Sequence, residues 1–423
     1  MDTRASRDSS ARKRGDSWRK DPLVSSWVSV FEELSRVGEP VLEVSSAPLL
    51  FNLLDLRSLE LREASSFTWV WRGFRVDVNG GGLIASGSLA QPRGFATELK
   101  SIDSASLGSM VSSLLEPEVE GVFFFNPLGW RPRAPIMHPR ESLGLGLGSC
   151  VETEEGTVSL AIGLEPLAFV SASSCSRVEG RSGSLEVSIA GFKTTLLGEL
   201  RERAGLKVVV GDESISAISG SVIRVWSKRA TLDFTHRFFN LRLKVLYPFT
   251  YQSVDLSRAV KANSAIIESP ESSLTIASPK PMEIEFEPGV LRVSFESEAL
   301  LARGGELQAL ALLLESMTIW RPVETTTGRL SLHSRLLRAL TYLAAVEPPS
   351  LILAAYTLSG TGGAIELRVR RRLGEAYLID PVSEESTRLR QLNGLLRVPL
   401  VAPYALISLT LRASTEKMLE ESS

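Results

Sequence analysis

Residues 282–296 read MEIEFEPGVLRVSFE, and their alternation leaves little choice of local structure. Met282, Ile284 and Phe286 fall on one side of an extended chain, with Glu283, Glu285 and Glu287 on the other. After Pro288-Gly289 the pattern resumes, Leu291, Val293 and Phe295 alternating with Arg292, Ser294 and Glu296. A period of two with a Pro-Gly break predicts a hairpin with one buried and one wet face. The opposed Glu and Arg can pair across the strands, although an exposed pair adds little stability.

The same period recurs at Leu185/Val187/Ile189, at Val158/Leu160/Ile162, and at Leu241/Leu243/Val245/Tyr247. It returns at Ile365/Leu367/Val369 and at Ile407/Leu409/Leu411. Turn signals punctuate these runs, among them Ser359-Gly-Thr-Gly-Gly363 and Asn79-Gly-Gly-Gly82, the latter a hairpin signal. Many short strands with few helical stripes predict a mostly-β protein of antiparallel sheets packed as sandwiches. One helix is expected near the start. Asp21 serves as N-cap, Pro22 takes the first helical position, and Val24, Trp27, Val28, Phe31 and Leu34 recur at helical spacing before Gly38. Residues 306–317 and 332–343 fit a helical stripe about as well as a buried strand, and periodicity alone does not separate the two.

The chain of 423 residues has a formal net charge of −2, so no global field draws it to nucleic acid or an anionic membrane. The one basic stretch is the tail MDTRASRDSSARKRGDSWRK, residues 1–20, with almost nothing apolar to bury; it is expected to be disordered and solvated. It lacks the apolar segment of a secretory signal. The richest apolar run, Leu307–Leu314, falls far short of the roughly 18 residues a spanning helix needs and is closed by Glu315. Neither nucleic-acid nor membrane partners are therefore expected. Two cysteines, Cys150 and Cys175, are too few for a disulfide framework or a zinc knuckle, so a reduced, cytoplasmic protein is expected.

Chemistry-bearing patterns are sparse. His138, His236 and His333 each stand without a second histidine or cysteine at ligand spacing. Gly144-Leu-Gly-Leu-Gly148 lacks the Lys-Ser/Thr of a phosphate-binding loop and reads as a flexible loop, and no Gly-x-Ser-x-Gly elbow occurs. Most carboxylates lie on the outward positions of alternating strands, where solvation explains them better than acid–base work. Arg370-Arg-Arg372 reads as a charged, wet strand edge. No residue is assigned a catalytic, cofactor-binding or metal-ligating role, and no cofactor is expected.

A further pattern begins at Gly121-Val-Phe-Phe-Phe-Asn-Pro-Leu-Gly-Trp-Arg-Pro-Arg133. Phe125, Asn126, Pro127, Leu128, Trp130 and Arg131 resemble the Phe-Asn-Pro-Leu-x-Trp-x-Arg motif that opens the C-terminal β-rich region of glycoside hydrolase family 38 α-mannosidases. Similar segments come after it in that family's order: Leu232-Asp-Phe-Thr235 with Leu243-Lys-Val-Leu-Tyr-Pro-Phe249, then Leu312-Leu-Leu-Glu-Ser316 with His333. Ile365-Glu-Leu-Arg-Val369 with Gly374-Glu375 and Pro403-Tyr-Ala-Leu-Ile-Ser-Leu-Thr-Leu411 complete the series. The resemblance covers roughly residues 119–412.

The resemblance implies a galactose-mutarotase-like supersandwich over residues 119–345, a small β-domain over 346–423 and a mixed segment over 21–118. It makes strands of both 306–317 and 332–343. Phe123–Phe125 become a core strand, Asn126-Pro127 its exit turn, and Trp130 a packing residue rather than a sugar-stacking one. The family's enzymes take their Asp nucleophile and zinc ligands from an N-terminal barrel with His-x-Asp and His-His-Asp motifs. Here Arg140, Phe238 and Arg335 stand two after the histidines, so neither motif exists. The expectation is a unit that is not catalytic alone and is accessory, structural or glycan-binding, with carbohydrate and a separately encoded catalytic subunit as partners. The rival readings are an active glycosidase with an unrecognised site and an unrelated β-sandwich interaction protein.

Overall fold

The structure is a computed structural model that describes residues 67–71, 74–79, 82–86, 96, 98–115, 118–142, 144–247, 250–327, 332–335, 339–357, 363–369, 373–379, 386–392, 395–400 and 404–411. The basic tail, the helix expected after Asp21, residues 359–362 of the Ser359–Gly363 turn and Arg370–Arg372 lie outside the described residues. The chain divides into two compact units, one spanning Ser88–Leu330 and the other combining Met1–Gly87 with Ser331–Ser423. The protein is mostly β, as its alternation predicts, and built as a β-rich sandwich.

The larger unit is organised by one ten-stranded sheet. Its first half is a meander in chain order: Arg181–Ile189, Phe192–Arg203, Leu206–Val210, Ser214–Ser219 and Val222–Thr235. The next strand in space is Val290–Arg303, followed by Ser273–Glu287, Val260–Glu268, Arg242–Tyr247 and Thr250–Val254. Every neighbouring pair is antiparallel. The sheet curls enough for Lys193 to pair with Thr235, bringing the second strand back against the fifth.

The predicted hairpin is present. Glu285 pairs with Arg292, Ile284 with Val293 and Phe286 with Leu291, across a turn in which Gly289 takes a left-handed φ of 80°. Met282, Ile284, Leu291, Val293 and Phe295 enter one apolar cluster with Phe192, Ile223, Val225, Phe234, Leu243 and Ile276. The opposite face is covered piecewise. Val151 and Val158, from a small sheet of Ile136–Pro139, Gly156–Ser159 and Cys150–Glu152, pack on Leu206, Val208, Ile215 and Ala217.

A second cover is a helix, and it corrects the expectation that residues 306–317 form a strand. Glu306–Met317 is an α-helix, α2 here, packed on Val260–Glu268, Ser273–Glu287 and Val290–Arg303. Residues Ala309–Met317 are all buried, so no polar stripe interrupts the sequence and the helical period is hidden. The segment is Leu- and Ala-rich and contains no β-branched residue, a composition that favours helix. The other ambiguous segment does form strand, in Leu332–Arg335 and Ala339–Glu347.

A shorter helix, Ser104–Ser112 (α1), is capped by the Asp103 carboxylate, which accepts from the backbone N–H of Ala105 at 3.1 Å. It lies against Val119–Phe125 so closely that a Cβ on Gly108 would meet the Phe125 Cβ at 2.8 Å. Val119–Phe125 is the centre of a three-stranded sheet between Phe169–Ser171 and Pro322–Thr327.

Two further expectations are corrected. Gly144–Gly148 is not a free loop: Leu145–Gly146 pairs with Ser173–Ser174. The cysteines are not reduced: Cys150 and Cys175 are joined, with Cα atoms 5.8 Å apart. The strand signalled by Val158, Leu160 and Ile162 stops at Ser159.

In the second unit, Phe67–Trp71, Phe74–Asn79 and Gly82–Ser86 make a meander whose second turn is the Asn79–Gly82 hairpin. A four-stranded sheet runs Leu332–Arg335, Gly363–Val369, Leu395–Leu400, Gln391–Leu392. A five-stranded one runs Ala339–Glu347, Ser350–Thr357, Tyr404–Leu411, Leu373–Ile379, Ser386–Arg388. Its buried side chains include Tyr342, Leu353, Tyr356, Ile407 and Leu409. Among the described residues no helix is long and apolar enough to cross a membrane.

Candidate functional site

The strand Val119–Phe125 runs straight into the motif Asn126-Pro-Leu-Gly-Trp-Arg131, and Asn126 sets the path of the chain beyond it. Its side chain is fully buried. Its Nδ2 donates to the carbonyl oxygens of Trp130 at 2.9 Å and Glu165 at 3.0 Å, and Oδ1 accepts from Leu128 N–H at 3.0 Å. One amide side chain thereby folds the 126–130 turn back on itself and fixes it to the 164–168 loop. Asp in that position would offer no donor to the two carbonyls.

The turn delivers Trp130 to helix α2. The indole Nε1–H donates to Glu315 Oε1 at 2.9 Å, and the backbone N–H of Ala134 donates to Oε2 at 3.0 Å. Arg133 N–H lies 3.2 Å from Oε2. A buried carboxylate is costly unless hydrogen-bonded, and here three N–H groups surround it. Burial pushes the Glu315 carboxyl above the usual range, and the Trp130, Ala134 and Arg133 donors pull it back.

Arg224 sits beside this carboxylate, 2 % exposed. Its Nη2 donates to both Glu298 oxygens, at 2.9 and 3.1 Å, and its Nη1 to the Pro135 carbonyl at 3.1 Å. Nη2 also lies 3.4 Å from the backbone oxygen of Glu315, and the guanidinium stands 5.2 Å over the Trp226 ring. Burial raises the Glu298 carboxyl too, opposed by the Arg224 charge. The result is a buried polar cluster joining the motif loop, helix α2 and the middle of the large sheet, in which Arg224 Nε alone of the guanidinium nitrogens lacks a partner.

Trp130→Phe isolates one of these links. It keeps the ring and removes the N–H that reaches a carboxylate, and should lower stability by about 1.5–3 kcal/mol in denaturant unfolding. A loss inside about 0.5 kcal/mol would mean that the backbone donors alone hold Glu315.

Among the described residues no histidine belongs to a ligand set. His138 is fully buried, 2.9 Å from Ser159 Oγ, with its ring centroid 4.3 Å from that of Phe124. Burial lowers its pKa to about 3, so it stays neutral near pH 7. His236 stacks with Phe238 next to Phe192, and His333 pairs with Arg368 in the second unit's four-stranded sheet. Among the described residues no three His, Cys, Asp or Glu side chains are placed to hold a metal ion. The donor set does not fit the zinc that the α-mannosidase resemblance would bring. A cleft of about 390 Å³ is lined by Glu202–Lys207, Ile218 and Gly220, and one of about 200 Å³ by residues such as Glu347, Pro348 and Ser350. Neither includes His138, Arg224, Glu298 or Glu315.

Sequence reasoning missed the cluster because its members are far apart in the chain. The available signal was a charge embedded in an apolar run: Arg224 in Val222-Ile-Arg-Val225, Glu298 before Ala299-Leu-Leu301, Glu315 after Leu312-Leu-Leu314.

No known protein-family profile matches the sequence, and no curated protein matches it. Among solved structures, a glycoside hydrolase family 81 protein from Clostridium thermocellum is similar at 8% identity with a TM-score of 0.16. The match covers 69% of this chain and 42% of that one, so the chain spans less than half of that protein's length. A likeness at this level carries no argument about fold or activity.

Proposed function

We propose that the chain is a carbohydrate-associated β-protein related to the C-terminal region of glycoside hydrolase family 38 α-mannosidases. On this reading it is not catalytic alone and acts as an accessory, structural or glycan-binding unit. Its larger unit is then a galactose-mutarotase-like supersandwich, and its partners are carbohydrate and a separately encoded catalytic subunit.

The observation that carries the reading is the Trp130–Glu315 bond. Two segments that resemble the family's motifs, Phe125–Arg131 and Leu312–Ser316, meet directly although 185 residues separate the bonded pair. The second segment contributes as helix rather than strand, which leaves its place in the order and changes its form. The non-catalytic part of the reading is supported by what the polar groups are already doing. The hydrogen bonds of Asn126, Trp130, Arg224, Glu298 and Glu315 run to one another and to backbone, with Arg224 Nε left over. A retaining glycosidase needs two carboxyl groups about 5–5.5 Å apart across an accessible scissile bond.

The test is the purified chain with an aryl α-mannoside, with zinc measured by elemental analysis. The expected result is no turnover and no stoichiometric zinc. Turnover by the lone chain, abolished by a chelator, would overturn the reading in favour of an active glycosidase.

A further inference from the structure

The Cys150–Cys175 bond encloses the segment that contains the loop Asn126 holds. It closes a covalent ring over a sequence separation of 25. Inside that ring lie Gly156–Ser159, the 160–168 loop and Phe169–Ser171. The loop is bound to the motif turn by backbone: Asn126 N–H donates to the Ala168 carbonyl at 3.0 Å and Leu167 N–H to the Leu128 carbonyl at 3.1 Å. Leu167 takes a φ of 50°, a left-handed conformation that a leucine keeps only where its surroundings hold it.

Other anchors after the loop are short. Ser173 and Ser174 are exposed and pair only with Leu145–Gly146, and Cys175 N–H donates to the Gly144 carbonyl at 2.8 Å. Beyond the bond, Arg203 Nη1 reaches Ser176 Oγ at 2.7 Å. The strand alongside is bare where the sulfurs lie, since a Cβ on Gly146 would meet Cys150 Sγ at 2.9 Å. The two residues are unequal: Cys150 is 1 % exposed and Cys175 is 8 %.

We propose that the Cys150–Cys175 bond is a thiol-exchangeable latch, opened by a small dithiol through Cys175, that sets the mobility of residues 161–174 without unfolding the ten-stranded sheet. The dithiol's thiolate attacks Sγ of Cys175, the more exposed residue, and the S–S bond breaks with Cys150 leaving as thiolate, to be protonated by water. The dithiol's second thiolate then attacks its own sulfur in the mixed disulfide and releases Cys175 as thiolate, which is also protonated. The protein disulfide gains two electrons and the dithiol becomes a cyclic disulfide. The ladder between Phe169–Ser171 and Val119–Phe125 remains, but the ring that pins the loop's far end is gone.

The experiment uses the full chain purified in air without reductant. Thiol titration in denaturant should find no free thiol, and two after dithiothreitol. Amide exchange at 161–174 should rise by at least about tenfold on reduction, a lower bound on what closing a ring of this separation provides. Exchange at 291–301 should not change. Cys150→Ser and Cys175→Ser should each reproduce the pattern of the reduced protein, and glutathione trapping should label Cys175. Two free thiols before reduction, unchanged exchange at 161–174, or glutathione on Cys150 would each overturn the proposal.

Discussion

Arg224→Ala should cost about 3–5 kcal/mol, the usual loss when one partner of a buried ion pair is removed and the other charge stays behind. The substitution leaves Glu298, itself 8 % exposed, without its guanidinium, and strips a donor from the Pro135 carbonyl. Urea unfolding of Arg224→Ala, Glu298→Gln and the double variant reads the coupling directly. The double variant should be more stable than the sum of the two single losses predicts, because neither charge is then stranded. A single-variant loss below about 1 kcal/mol would place the pair among exposed, hydrated ones and remove it from the core of the fold.

Phe295→Ala should cost a similar loss of about 3–5 kcal/mol, since the ring is 3 % exposed in the cluster with Val293, Ile284 and Phe192. Glu285→Ala, on the other face of the same hairpin, should stay within about 0.5 kcal/mol. Its carboxylate is 3.9 Å from Arg292, which also reaches Asp233 and Glu287, so the arginine keeps partners when one is lost. Thermal or denaturant unfolding of the two variants side by side is sufficient. Equal losses would contradict the assigned faces.

How much of the fold was legible in the sequence depended on whether a segment had one wet face. The hairpin at 282–296 did, so its register and buried side were readable from alternation alone. The Asn79–Gly82 turn was readable because two residues of turn chemistry separated two apolar runs. Helix α2 was not: burial on all sides erased its period, and an expected family order filled the gap with a strand. The absence of Val, Ile and Thr from 306–317 was the better guide, as Thr341, Tyr342 and Val346 were for the neighbouring strand. The disulfide was missed because counting two cysteines bounds a framework but says nothing about whether the fold brings their Cα atoms within bonding range. The cluster around Arg224 was out of reach for a related reason. The hydrogen bonds that join Trp130, Arg224, Glu298 and Glu315 span from 74 to 185 residues of chain, and only the assembled sheet and helix define them.

The seam between Val222–Thr235 and Val290–Arg303 joins the two halves of the large sheet, with Arg224 opposite Leu300 and Trp226 opposite Glu298. Apolar residues line much of both strands, and a slipped alignment would still bury many of them. The charges do not tolerate it. A slip of one residue in Val222–Thr235 turns Arg224 onto the apolar face that Ala299, Leu301 and Ile276 line from the neighbouring strands, since successive side chains point to opposite faces. A slip of two keeps the face but carries the guanidinium past Glu298. The buried pair is therefore a reading-frame check on the join: one alignment satisfies it, and the near neighbours strand a charge in the interior.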